Sequence, residues 1–126
     1  MRKTFIAALC ITVMIVACSK SSDDNTPPGG GGGGGGGTFV PDCSGPAKSF
    51  TTDVSPIIAS SCAISGCHAA GSTNGPGALT NFTQVFNARG AIRTAVASGL
   101  MPKTGTLTAA QKNAILCWID TGGANN

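Results

Sequence analysis

Nine consecutive glycines, residues 29–37, follow Pro27-Pro28 and set the terms for the rest of the chain. A run without side chains buries no apolar surface and stays a flexible coil, so it partitions the chain and joins no fold. What remains to fold is residues 40–126, fewer than 90 in all. A core of that size is marginal when built from side chains alone, and covalent staples or a bound group are common remedies. The six cysteines of the chain supply material for both. Charge contributes little: Lys48, Arg89, Arg93, Lys103 and Lys112 oppose Asp42, Asp53 and Asp120, a balance of +2 in this region. That excludes the basic footprint of a nucleic-acid binder. No internal repeat of solenoid length recurs.

The segment ahead of the glycines reads as an address. Arg2 and Lys3 form a positive start, and residues 5–16 are almost uninterruptedly apolar but too short to span a bilayer comfortably, so residues 1–17 read as a secretory signal peptide. Its end, Ile15-Val16-Ala17-Cys18, resembles the lipobox of bacterial lipoproteins, in which a small residue precedes a cysteine that is lipidated. Cys18 is therefore the expected lipidation site; Cys10 follows Leu9, where a small residue is wanted. An ordinary signal peptide cut nearby is the alternative. Each buried methylene of an acyl chain contributes about 0.8 kcal/mol, so several chains anchor stably. Residues 18–39 form the expected tether, whose Ser21-Ser22-Asp23-Asp24 resembles the acidic surface-export signals of some Gram-negative lipoproteins. The stretch from Cys18 to Cys43 would have a root-mean-square reach of roughly 25 to 30 Å, and about 80 Å fully stretched. These features imply an exported lipoprotein, of the outer membrane, facing the periplasm or the cell surface.

Residues 40–126 read as all-α, with no alternating apolar-polar run of strand length. Residues 49–61 predict a first helix, capped by Thr51, Thr52 or Ser55, with Pro56 tolerable only in its first turn. Residues 69–78, rich in Gly, Ser, Asn and Pro, have the composition of a loop. Leu79, Phe82, Val85 and Phe86 recur at helical spacing over residues 81–87, and Ala91, Ile92, Ala95 and Val96 continue it to Ser98, with a break expected at Gly90. Gly99 and Pro102 end helical structure and leave Met101 on a loop. Thr108-Ala109-Ala110-Gln111 is a capping-box pattern, opening a last helix with Leu107, Ala110, Ala114, Ile115, Trp118 and Ile119 on its apolar stripe.

The chemistry-bearing stretch is Cys62-Ala63-Ile64-Ser65-Gly66-Cys67-His68, which sets two thiols beside the only histidine of the chain. A Cys-His pair with a second cysteine shortly before it suits covalent attachment of a haem: each thiol adds to a vinyl group and the adjacent imidazole reaches the iron. The usual gap has two residues and this one has four, residues 63–66, so the loop must bulge. Methionine occurs at positions 1, 14 and 101, and the first two fall in the signal peptide. Met101 is then the one thioether left to serve as a second axial ligand, although a core methionine filling a gap is the other reading.

The order of helix, Cys-x4-Cys-His, Gly-rich loop, middle helices, Leu100-Met101-Pro102 and a last helix ending Trp118-Ile119-Asp120 resembles the small monohaem c-type cytochrome domains, most of all the wide-spaced variants found in bacterial lipoproteins. The likeness runs from Phe50 to Asn126. It implies a helical domain wrapped around one covalent haem c, with thioether bonds at Cys62 and Cys67, a proximal ligand at His68 and a distal ligand at Met101. It departs from the family in the four-residue gap. In an exported protein the remaining Cys43 and Cys117 are expected to pair, closing a loop of about 75 residues worth roughly 4 kcal/mol. The alternative is a buried thiol at Cys117 and a solvated one at Cys43.

The expected function is membrane-tethered electron transfer, with redox proteins as donors and acceptors, no small-molecule substrate and no enzymatic activity. Arg89 and Arg93 are candidates for contacts to haem propionates. Two alternatives stay open. One is a five-coordinate haem sensor or peroxidase-like protein; the other is a haem-free, disulfide-stapled interaction module with Cys62 paired to Cys67.

Overall fold

Pro56 decides how the first helix is built in this computed structural model, which describes residues 37–126. The signal peptide at 1–17, Cys18 and the tether up to residue 36 lie outside the described residues. By its contacts the chain divides into Met1–Gly33 and Gly34–Asn126, and all described residues belong to the second unit. A proline has no N–H for the carbonyl four residues back, and its ring crowds that carbonyl, so a regular α-helix cannot run through it. The chain instead makes a π-helical turn, Phe50–Val54, in which the Ser55 N–H reaches the Phe50 carbonyl. The helix α1, Ser55–Ser61, follows with Pro56 in its first turn.

The cap is Ser49, two residues ahead of the first candidate the sequence offers, Thr51. Its Oγ accepts the Thr52 N–H at 3.4 Å, and Asp53 Oδ2 accepts the Ser49 N–H at 2.7 Å. The turn's other donors are satisfied by Asn126. Its Oδ1 accepts from the Phe50 N–H at 3.0 Å, and its backbone oxygen accepts from the Thr51 N–H at 2.9 Å and the Ser49 hydroxyl at 2.7 Å. Satisfied donors at a helix start are what let it form next to the core.

The middle helices are α2, Phe82–Asn87, and α3, Arg89–Ala97. Asn81 caps α2 by accepting the Gln84 N–H at 3.0 Å. The break between them falls at Ala88, whose N–H is shared by the Gln84 and Phe86 carbonyls, and Gly90 lies inside the first turn of α3. The last helix, α4, Ala109–Asp120, opens on a complete capping box: Thr108 Oγ1 accepts the Gln111 N–H at 3.2 Å, and Gln111 Oε1 accepts the Thr108 N–H at 2.9 Å.

The described residues are all-α and form no strand. None of their helices is long and apolar enough to cross a membrane. Trp118 sits deep in the core, with Phe50 at 5.4 Å and Phe82 at 6.3 Å between ring centroids. Its Nε1 donates to the Ala124 carbonyl at 2.8 Å, so its one polar atom is not stranded. Gly123 has φ +71°, and a Cβ there would stand 3.3 Å from the Phe86 ring. Backbone and space both call for glycine at that position. The buried face of α4 is the run Ala114, Ile115, Leu116, Cys117 and Trp118, wider than the stripe read from spacing, while Ala110 is exposed. The reason is that α4 is packed from two directions, by α3 and by the π-helical turn.

The segment before the first helix is fastened to α4 and α3. Cys43 and Cys117 form a disulfide with Cα atoms 5.4 Å apart, and the Asp42 N–H donates to Asn113 Oδ1 at 3.1 Å. Phe39, one residue ahead of the boundary read from composition, packs against the core and donates its N–H to the Ala97 carbonyl at 2.7 Å.

Candidate functional site

The helix α1 delivers Cys62, whose N–H still bonds the Ile58 carbonyl at 2.9 Å. The chain then turns through the four-residue gap and comes back on itself: the Cys67 N–H donates to the Ile64 carbonyl, and the His68 N–H to the Cys62 carbonyl, both at 3.0 Å. Gly66 makes the return possible with φ +79°, a conformation that a residue with a Cβ rarely adopts. The bulge thus leaves Cys67 and His68 beside the end of α1.

His68 is the buried polar residue of the core, 6% exposed. Its Nδ1 lies 2.8 Å from the Gly77 carbonyl. A carbonyl can only accept, so Nδ1 carries a hydrogen, and in the neutral ring the lone pair is then on Nε2. Among the described residues Nε2 has no hydrogen-bond partner, and it is not a sealed orphan either. An imidazole oriented by a carbonyl behind it is the arrangement that aims a ligand nitrogen at a metal.

Met101 arrives from the loop that follows α3. Gly99, at φ +73°, terminates α3, and the Met101 N–H donates back to the Ala95 carbonyl at 3.1 Å. The residue is therefore held against the end of α3 though it stands on a loop. Cys62, Cys67, His68 and Met101 all line one cleft of about 320 Å³, a volume in the range of small-molecule sites. Its remaining walls are chiefly Ile58, Leu79, Ile92, Val96 and Pro102. Lys103 is the one charged side chain on them.

Cys62 and Cys67 are free, half-buried thiols. Burial, and secondarily the neighbouring charge of Cys67, pushes the Cys62 thiol above its ordinary value. Among the described residues no three side chains of His, Cys, Asp or Glu converge where a single ion could be held. The thiols and the imidazole share a wall without sharing a point. That separation does not suit a lone zinc ion, which gathers its ligands at one centre.

Arg89 and Arg93 do not line this cleft. Arg93 forms a two-pronged pair with Asp120 at 2.6 and 3.0 Å, which also raises its pKa. Arg89 folds over the Phe86 ring at 3.9 Å and donates to the Phe86 carbonyl at 2.8 Å. The sequence marks residues 69–78 as a loop but not the acceptor within it, Gly77. A backbone carbonyl carries no side-chain signature, so nothing in the sequence could have marked it. Comparisons with protein-family models, with curated proteins and with solved structures found no match for this chain.

Proposed function

We propose that the chain is a lipid-anchored electron-transfer protein carrying one covalent c-type haem, in a helical domain of the cytochrome c kind. Cys62 and Cys67 would hold the haem, and His68 and Met101 would ligate its iron. The observation that carries this reading is the single apolar cleft lined by both thiols, the one histidine and the one methionine outside the leader, residues drawn from two separate stretches of the chain. The donor set fits the group: two thiols off the metal, an imidazole with a free Nε2, and a soft thioether from a tethered loop.

When bound, the haem iron supplies a one-electron couple. The chain's own residues do the rest. The Gly77 carbonyl, bonded to Nδ1, keeps the His68 ring from rotating. The bond from Met101 to Ala95 holds the thioether loop against α3. Ile58, Leu79, Ile92 and Val96 exclude water from the cleft walls, so a change of charge inside meets little solvent to rearrange. With His68 and Met101 both engaged in holding the iron, substrate chemistry would be disfavoured and outer-sphere transfer to other redox proteins would be the use left open. Leu100, 58% exposed beside Met101, is an apolar contact point for such a partner. Lipidation at Cys18 would keep the domain near the membrane of export, on the periplasmic or outer face, where a flexible tether raises its effective concentration toward partners.

The test is a haem stain of the protein after denaturing electrophoresis, from a host able to mature c-type cytochromes. Haem that stays with the denatured chain is expected. A wild-type chain that retains none would end the reading.

A further inference from the structure

The gap between the two thiols is the part of the site with the least shape of its own. Ile64, Ser65 and Gly66 are all exposed, and each residue added to a loop adds backbone freedom that must be removed before both sulfurs can meet one ligand edge. The structure removes it from outside. Asn74 Nδ2 donates to the Gly66 carbonyl and to the Cys67 carbonyl, each at 3.0 Å. Ser72 Oγ donates to the same Cys67 carbonyl and accepts the Asn74 N–H at 3.2 Å. A primary amide nitrogen has two hydrogens in one plane, and Asn74 spends both on successive carbonyls flanking the second thiol.

We propose that Asn74, supported by Ser72, is the positioning residue that makes the four-residue gap usable: it clamps the Gly66–Cys67 segment so that both cysteines attach to one haem. The inference rests on the haem reading above. Attachment is an addition: each cysteine sulfur bonds one vinyl carbon, the thiol hydrogen goes to the other, and the carbon–carbon π bond is consumed. Nothing leaves and no oxidant is needed. What the addition does need is both sulfurs within reach at once, and that is a matter of loop geometry.

The test compares full-length wild type, Asn74→Asp, Asn74→Ala, Ser72→Ala and Thr73→Ala from the same maturation-competent host. Two readouts are taken on each: alkylation of the thiols left free at Cys62 and Cys67 after denaturation, and the absorption band of the reduced pyridine complex, which moves to longer wavelength when one vinyl stays unsaturated. Asp keeps the shape of Asn74 but offers only acceptors, so both Asn74 variants are expected to shift the ratio of doubly to singly attached protein by about tenfold. Ser72→Ala, which removes one donor of three, is expected to move it the same way by less. Thr73 is exposed beside the clamp and touches neither carbonyl, so its variant should match wild type. Asn74 and Ser72 variants with no free thiol and the wild-type band would overturn the clamp while leaving the haem reading intact. A wild type without covalent haem would overturn both.

Discussion

At the scale of single residues, the proposed haem site turns on Met101. Its removal leaves in place both thiols and the bond between His68 Nδ1 and the Gly77 carbonyl. Met101→Ala is therefore expected to keep its covalent haem, to bind carbon monoxide rapidly when reduced, and to show a lower reduction potential than wild type. Spectra with added carbon monoxide and a redox titration check this. Equally rapid binding by the wild type would point to the sensor or peroxidase-like class. Cys62 offers a second measurement, made on the haem-free chain. Burial pushes its thiol up, so the folded state holds that proton more tightly than the unfolded state does. The stability it contributes is present below the ordinary thiol range, near about pH 8.5, and is lost as the pH rises through the raised folded value. Thermal melting of the haem-free protein should fall more steeply over this range than that of Cys62→Ser.

At the scale of elements, α4 depends on a local device. Thr108 and Gln111 satisfy each other's backbone donors, and Thr108→Ala is expected to cost about 1 kcal/mol, read as a lower urea midpoint with an unchanged slope. That motif was legible in the sequence because both partners lie within one turn. So were the helix α3 and its stop at Gly99, which depend on neighbours along the chain. The start of the first helix was not. Its Phe50 and Thr51 donors go to Asn126, more than seventy residues away, and no local pattern signals a partner at that distance. The break at Ala88 was missed for a related reason: a shared hydrogen bond ends α2, while the more conspicuous Gly90 is carried along inside α3. In the site, the residue types and their spacing were readable. The carbonyl behind His68 and the amide across the thiol loop became visible only once residues 71–77 had been folded back onto it.

At the scale of the whole molecule, the link between Cys43 and Cys117 closes most of the domain into one ring, with a sequence separation of 74. Removing that constraint frees the unfolded chain, and Cys43→Ser with Cys117→Ser is expected to cost about 4 kcal/mol in the chain-entropy model. Denaturant unfolding with and without reductant measures it. A small domain has little reserve against such a loss, so the reduced protein should be largely unfolded well below the melting temperature of the oxidised one. The same link has a mechanical meaning. Cys43 precedes every helix, so tension arriving along the chain from its N-terminal side enters α4 through a sulfur–sulfur bond before it can load the π-helical turn or α1. The segment that bears Cys62, Cys67 and His68 lies inside the covalent ring, shielded from the pull of whatever holds the protein in place.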